Sequence, residues 1–597
     1  MSEITPRRVE GPEAGLPSPP SPEWTEVDPP DHEAVRQLAR ELSLPPAICA
    51  VLVARGIVEA EPARRFLRPR LEHLLPPEAL PDLKVAVDRI ARAVESGEII
   101  LIHGDFDVDG VASTALLTRW LRRLGGTVVP FVPHRIRDGY DLGSAGIRAA
   151  SEAGASLLVT CDSGIRAHDA VNEARARGIE VIITDHHTPA STLPEALAVV
   201  NPMREDVPAT ERVLCGAGVA WKLCAALAER FEIAETELFP LLEFVALATI
   251  ADLVPLSGDN RILVRFGLRY LANSQTPGIR ALLRKVGVEE GEAVSESAVG
   301  FRIAPRINAI GRMGDAATAL ELLLTDDPRA ADELAEVLEE ANATRQNEER
   351  RTLEEALALL AEDYDPARDF GVVLAREGWH PGVIGIVAAR VVERIHRPVL
   401  LIALDGAGGG KGSGRSVTGV HLLQALTEGC APFLRRFGGH RQAAGVDVEA
   451  GQIHRLRDAF NIHIRGQLGG VAPRPRHTPD LRLPLDALND EFERLLQHMA
   501  PFGMGNRRPL FQVTGLTPAD SPREVGGGSL KVRLRGGQGG AAMDAIGFGL
   551  AKRLAPADLS EGPFDALLHL ERNEYRGRST LQARLLDVRL VGAGGLS

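Results

Sequence analysis

Leu101–Thr118, LIHGDFDVDGVASTALLT, is the stretch whose reading decides the fold. The run Glu98–Ile102 ahead of it has the length and composition of a buried strand. His103, Asp105, Asp107 and Asp109 then fall within seven positions, and Gly110 opens a run with helical spacing. Three carboxylates and an imidazole crowded after one strand repel unless a cation sits among them, and a divalent ion is the usual remedy. Two more strands end alike. Leu157–Thr160 runs into Asp162 (LLVTCDSGI), and Val181–Thr184 into Asp185, His186 and His187 (VIITDHHTP). One acidic strand end is an ordinary loop or helix cap. Three in one chain point to a metal site along one sheet edge.

Working outward, strands and helices alternate: strand 98–103, helix 111–124, strand 127–132, helix 144–153, strand 156–161, helix 166–177 and strand 180–184. Short Val/Ile/Leu-rich strands separated by helices predict a parallel sheet covered on both faces. Ligands of such sheets sit beyond the carboxyl ends of the strands, where the acidic motifs lie. Downstream, FVALATIADLVPL places Asp252 inside an apolar run. Asp327-Pro328 starts a long helix to about Asp363, with Asp as N-cap and Pro in the first turn. Its polar middle, Asn342–Arg351, suits a strut between two domains. A second α/β unit follows: strand Phe370–Ala375, helix Gly382–Ile395, strand Val399–Ala403, then the glycine-rich run GAGGGKGSGRS. After a Pro/Arg/Gly-rich linker at 465–480, short alternating strands from about Phe511 predict a small barrel.

The fold class expected is therefore α/β: a parallel-sheet metal domain, a long connecting helix, a second smaller α/β domain and a C-terminal OB-like β-barrel. The expected boundaries are a disordered tail at 1–30, a helical lead-in at 31–80, the metal domain at 81–327, the connecting helix at 328–364, the second domain at 365–464, and linker plus barrel at 465–597.

Composition sets limits. The chain has 597 residues, 44% hydrophobic and 25% charged, which is ordinary for a globular protein. No apolar run reaches the ~18 residues that span a bilayer, and the N-terminus lacks the apolar segment of a signal peptide. The five cysteines form no CxxC pair, so a reducing cytoplasm fits and a zinc ribbon does not. A net charge of −13 argues against unspecific polyanion binding, although a groove can be basic on an acidic protein.

Other motifs suit phosphate. RIAPRINAIGR reads as a loop whose Arg302, Arg306 and Arg312, with Asn308, could grip phosphates, because a guanidinium meets a phosphate in bidentate fashion. The glycine run is not an ATP loop, since Asp405 stands where the first glycine is required and Gly412 follows Lys411. Its glycines beside Lys411, Ser413, Arg415 and Ser416 still suit close approach of backbone to phosphate. Trp379 and His380 precede a helix whose N-terminus could receive a phosphate, and Trp379 serves equally well as a core residue. In the barrel, Lys531, Arg533 and Arg535 alternate on one strand face, and Tyr575, Arg576 and Arg578 lie in a hairpin. This is the mix of charge and stacking that oligonucleotide-binding barrels use.

Asp185-His186-His187 resembles the triplet that gives the DHH phosphoesterase superfamily its name. In chain order, GDFDVDG, TDHH, ATIADLVPL, RIAPRINAIGRMGD, GWHPGVIGIVAAR, GKGSGRS, FGGHRQAAG and PFGMGNRRPLF resemble the RecJ-type exonucleases within it, over about residues 35 to 590. That resemblance implies a bacterial single-strand-specific 5′→3′ exodeoxyribonuclease of DNA repair and recombination, releasing 5′-mononucleotides. It also implies two Mn2+ or Mg2+ ions. His103, Asp107 and Asp162 would hold one ion; Asp109, Asp162, His186 and Asp252 would hold the other, with Asp162 bridging. Asp105 and Asp185 would orient ligands or cap helices, and His187 would hold the scissile phosphate or protonate the leaving oxygen. Gly438, Gly439 and His440 resemble the partner half of the substrate site around Lys411–Ser416. The mechanism implied is metal-assisted hydrolysis without a covalent enzyme nucleophile. The partners implied are single-stranded DNA, a single-strand-binding protein and a helicase, for a monomeric chain. Two rivals share the metal motifs: a phosphodiesterase of nanoRNA or cyclic dinucleotides, which would not need the barrel or the arginine segment, and a non-catalytic DNA-binding relative, against which the full ligand set argues.

Overall fold

Residues Ile99–His103 form strand β1, and its apolar residues are buried on both faces. Helix α4 (Val108–Arg123) follows, after the lead-in helices α1 (His32–Leu42), α2 (Pro46–Ala54) and α3 (Ala60–Leu67). It starts three residues earlier than the spacing predicts, because Asp107 caps it: Asp107 Oδ1 accepts the backbone N–H groups of Asp109 (3.0 Å) and Gly110 (3.2 Å). The computed structural model describes residues 16, 19–135, 137–208, 212–537, 540, 542–575 and 578–591, without the side chains of Tyr575 and Arg578. Residues 1–15, 17 and 18 of the expected tail lie outside these.

Strands β2 (Thr127–Phe131), β3 (Leu157–Thr160), β4 (Glu180–Thr184) and β5 (Ala198–Val200) complete a five-stranded sheet in the order β2-β1-β3-β4-β5, parallel throughout. The chain steps from β1 to β2 on one side and returns to β3 on the other. The switch point thus lies between β1 and β3, where ligands of open parallel sheets bind. Helix α5 (Gly216–Arg230), helix α6 (Leu242–Ala251), which runs into Asp252, and helix α7 (Gly258–Ala272) belong to the same unit. The segment around Arg302–Arg312 is not a loop. A π-turn (Val299–Ile303) leads into helix α8 (Ala304–Met313). Ile303, Ile307 and Ile310 are buried at i, i+4 and i+7, and Pro305, which has no N–H to donate, follows directly on the π-turn, where the regular hydrogen-bond ladder is already interrupted. Helix α9 (Pro328–Asp363) has 36 residues, about 54 Å of axis.

The second unit contains Glu336–His477. Strand β6 (Val372–Glu377), helix α10 (Ile384–Ile395) and strands β7 (Val399–Leu404), β8 (Gly409–Arg415), β9 (Leu434–Gly439) and β10 (Ala443–Glu449) form a mixed sheet ordered β9-β10-β8-β7-β6, closed over by helix α11 (Ile453–Gln467). Only β6–β7 is parallel. The glycine run contains β8, an inner strand. Gly410, Gly412 and Gly414 point into the core and lie against Ile402, Val446 and Leu422. Lys411, Ser413 and Arg415 take the other face. Period-2 alternation with glycine on the buried side lets neighbouring chains approach closely.

After helix α12 (Asp490–Leu496), strands β11 (Phe511–Pro518), β12 (Ser529–Arg535), β13 (Met543–Gly547), β14 (Phe564–Tyr575) and β15 (Arg578–Leu590) form the barrel, in the order β11-β14-β15-β13-β12. Pairing of β11 with β12 at Thr517 and Arg535 closes it. Leu530, Val532 and Leu534 face inward, and Lys531, Arg533 and Arg535 outward. The side chains of Tyr575, Arg576 and Arg578 lie outside the described residues. The barrel interior and α1–α3 form one continuous apolar core: Leu38, Ile48 and Leu52 share it with Phe511, Phe564 and Leu585.

Candidate metal centre

The carboxyl ends of β1, β3 and β4 bring together Asp105, Asp107, Asp109, Asp162, Asp185, His186 and His187, and the end of α6 adds Asp252. Three groups of donor atoms are close enough to share an ion: Asp162, His186 and His187; Asp109, His186 and Asp252; and Asp105, Asp107 and Asp162. His186 Nε2 lies 3.0 Å from Asp162 Oδ1, 3.5 Å from Asp109 Oδ2 and 3.6 Å from Asp252 Oδ2.

Local structure fixes each donor. Asp109 projects from the first turn of α4, where the N-terminus of α5 grips it: Gly216 N–H donates to Oδ2 and Ala217 N–H to Oδ1, both at 2.7 Å. A Cβ at Gly216 would lie 2.6 Å from Asp162 Cβ, so only glycine admits this approach. Asp162 has φ +59°, an uncommon left-handed conformation for a residue with a Cβ and one that clusters at functional sites. Asp185 turns away from the donor groups. Its Oδ1 accepts His186 N–H (2.7 Å), His187 N–H (3.0 Å) and His187 Nδ1 (2.8 Å), and its Oδ2 accepts Ile165 N–H (3.0 Å). It positions both histidines.

The electrostatics suit a cation. Burial holds the Asp162 carboxyl well above its ordinary value, and the charges of Asp109, Asp107, Asp105 and Asp252 add to the shift. Burial and the neighbouring aspartates likewise raise Asp105 and Asp107, and push Asp252 up to about 8. Asp105 Oδ1, Asp162 Oδ1 and His186 Nε2 are buried without a hydrogen-bond partner among the described residues. Hard oxygen donors and an imidazole, orphaned and mutually repelling, fit a divalent metal ion. Burial alone would lower His187, but its hydrogen bond to Asp185 and the charges of Asp185, Asp252 and Asp109 outweigh burial and raise it to about 9.

Some expected residues fall elsewhere. His103 belongs to none of the three groups. Its ring is buried against Phe131, neither nitrogen has a hydrogen-bond partner among the described residues, and burial lowers it to about 4. Asp105, expected only to orient or cap, stands in a group with Asp107 and Asp162. Trp379 is 3% exposed in an apolar core, with its indole N–H on Glu355 Oε2 at 2.8 Å, so it offers no substrate surface. His380 Nδ1 accepts Gly382 N–H, and Arg312 Nη1 donates to Gly382 O at 3.2 Å. Arg302 and Arg306 lie one turn apart, with Arg306 Nη1 donating to Arg302 O, and Asn308 follows on α8. Ser413 and Gly438 both face Gly445 across β10, next to Ser416 at the end of β8 and to Gly439 and His440 in the β9–β10 turn, so the glycine run and FGGH are neighbours. Two residues of the site escaped the sequence reading. Tyr140 OH is 3.0 Å from His187 Nε2, and Arg135 is stacked 4.8 Å over Phe106, where burial lowers its pKa against the opposing charges of Asp105 and Asp107. Both come from the segment after β2, which carries no repeat or spacing that would single them out.

Residues 99–249 match the DHH family N-terminal domain, 369–465 the DHHA1 domain, and 479–587 the RecJ OB domain. Among curated proteins, the single-stranded-DNA-specific exonuclease RecJ of Bacillus subtilis is 35% identical over 94% of this chain and 70% of its own length. The Escherichia coli protein of that name is 36% identical over 90% and 95%, and the Thermus thermophilus one 40% identical over 83% and 72%. The crystal structure of RecJ from Thermus thermophilus in complex with Mn2+ superposes with a TM-score of 0.80 at 33% identity, covering 96% of this chain and 81% of that one. The Mg2+ complex gives 0.75.

Proposed function

The chain belongs to the RecJ family of single-stranded-DNA-specific exonucleases, and from that premise we propose that it hydrolyses phosphodiester bonds of single-stranded DNA from the 5′ end. Its products are 5′-mononucleotides, its ions two Mn2+ or Mg2+, and its setting DNA repair and recombination. The observation that carries the reading is the buried contact of Asp162 Oδ1 with His186 Nε2, 3.0 Å apart at the switch point of the sheet, neither atom having a hydrogen bond among the described residues. Bound there, the ions supply Lewis-acid activation of water and neutralise charge on the attacking and leaving oxygens.

The chain's own residues do the rest. Asp162 would serve both ions. Asp107, with Asp105 and His103 beside it, would complete one set, and Asp109, His186 and Asp252 the other. The α5 N-terminus and Asp185 hold Asp109, His186 and His187 in position. His187, held through Nδ1 by Asp185 and through Nε2 by Tyr140 OH, is the residue that would hold the scissile phosphate or protonate the leaving oxygen. Arg302, Arg306, Asn308, Arg312, His380, Lys411, Ser413, Arg415, Ser416, Gly438, Gly439 and His440 contact the strand, mainly its phosphates. Trp379 is left out of that set. Action as a monomer in the cytoplasm, alongside a single-strand-binding protein and a helicase, belongs to the same proposal.

The test is a length series of 5′-labelled single strands and duplexes, with Mn2+, with Mg2+ and with a chelator. Labelled mononucleotide is expected from single strands only, and only with metal. Cleavage confined to dinucleotides or cyclic dinucleotides, or binding without cleavage, would overturn it.

A further inference from the structure

Many exposed arginines of this chain have carboxylate partners: Arg36 pairs with Glu33, Arg65 with Glu61, and Arg175 with Glu195. The half-buried Arg265 and the exposed Arg68 and Arg494, which surround His498, do not, and neither does the exposed Arg269 next to Arg265. Arg68 directly follows α3, Arg265 and Arg269 stand one turn apart on α7, and Arg494 lies on α12. None has a carboxylate within ion-pair distance among the described residues. Arg265 is fixed by the carbonyls of His498 (3.3 Å) and Ala500 (2.9 Å). His498 sits among Arg265, Arg68 and Arg494, close enough that their charges, added to burial, disfavour its protonation. Beside them opens a cavity of about 390 Å³ whose lining includes Arg64, Arg68, Arg70 and His498, with Glu41 and Glu61 its only acids.

Guanidinium groups of one sign, held together on a chain of net charge −13, are left for a polyanion from outside. Their placement favours a nucleic-acid strand over an acidic protein. Helix α7 begins six residues after Asp252 and carries Arg265 and Arg269 about 10 and 16 Å along its axis from Gly258. Two of the four thus stand on the helix that directly follows the candidate ligand Asp252 in the chain. We propose that Arg68, Arg265, Arg269 and Arg494 form a second contact for the phosphate backbone of single-stranded DNA, apart from the barrel face and from the metal centre. The inference rests on the single-strand nuclease reading above.

The experiment uses the full chain carrying Asp162→Ala, so that strands are bound without being cut. Anisotropy of labelled short and long single strands is followed from 50 to 200 mM salt, with and without Arg68→Ala plus Arg494→Ala. Each lost phosphate contact removes about 0.7 from the slope of log affinity against log salt. The pair should therefore lower the slope by about 1.4 on the long strand, so that its defect is roughly sevenfold larger at 50 than at 200 mM. Short strands should bind as before. Arg269→Ala, on a different helix, should give half that change of slope. Unfolding temperatures near the parent's confirm that the variants are folded. An unchanged slope on long strands, an equal loss on short ones, or a defect seen only with a polyglutamate probe would overturn the second contact while leaving the nuclease reading standing. A parent that binds no single strand at any length would overturn both.

Discussion

In the parallel sheet β1–β5 the candidate ligands leave from the carboxyl ends of strands, whereas in the mixed sheet β6–β10 Lys411, Ser413 and Arg415 stand on the face of an inner strand. The first arrangement gathers charge at a point where chains depart and helix N-termini arrive, so repelling carboxylates can be held tightly and left for an ion. The second spreads donors along a flat surface. It needs glycines on the opposite side, so that β8 can lie close to the core beneath it. Point-like and strip-like sites suit an ion and an extended phosphodiester respectively.

The largest effect that would sharpen this contrast is at Asp162. Asp162→Ala should lower cleavage by roughly 10³-fold or more while leaving DNA binding near the parent's, since a donor to both ions is lost. Asp185→Asn, which removes no donor of the three groups but loosens both histidines and takes away the charge beside His187, should cost about 10–100-fold. Equal losses from the two variants in single-turnover assays would erase the distinction between ligand and positioning residue.

A buried carboxyl beside no such cluster gives the next test. Burial raises Glu243 from 4.5 to about 7, against hydrogen bonds from Ser274 and Thr276. Its folded value lies above its unfolded one, so the folded chain holds the extra proton between these values. Stability from this group is complete below pH 4.5 and is lost as pH rises through about 7. Glu243→Gln should flatten that decline, on the order of 3 kcal/mol across the window, in urea unfolding at a series of pH values. An unaltered pH slope would show that burial is not the cause.

The smallest effect is in the glycine strand. A Cβ at Gly412 would lie 2.6 Å from Val446 Cγ2 and 3.1 Å from Ile402 Cγ1. Overpacking, partly offset by the stiffer unfolded chain, should make Gly412→Ala about 1–2 kcal/mol less stable. Lys411→Ala, on the open face, should leave stability within ~0.5 kcal/mol. If both substitutions prove neutral, the run behaves as the loop its composition suggests.

That run also shows where sequence reading succeeds and where it stops. Acidic strand ends were legible because Val, Ile and Leu runs of buried parallel strands stand out, and an Asp at their end has few bland explanations once repeated. The glycine strand was not, because glycine erases the alternation of side-chain size that marks a strand. Strand β5, three residues long, is too short for any period to show. The segment Arg302–Arg312 held a helical signal in Ile303, Ile307 and Ile310, and the arginines between them drew the reading toward a loop. The α5 N-terminus that clasps Asp109 carries no charge and no motif, only Gly216 and Ala217, so its part in the centre becomes visible in three dimensions alone.

On the ribosome, Leu38, Ile48 and Leu52 emerge first, while Phe511, Phe564 and Leu585, with which they share one core, are made more than 450 residues later. At about 5–20 residues per second, the wait from Leu52 to Leu585 is roughly 30–110 s. For that interval the amino-terminal helices ride on the nascent chain as an uncovered apolar surface. The yield of folded protein in a foreign host therefore depends on what shields those helices during translation, before the stability of the finished molecule comes into play.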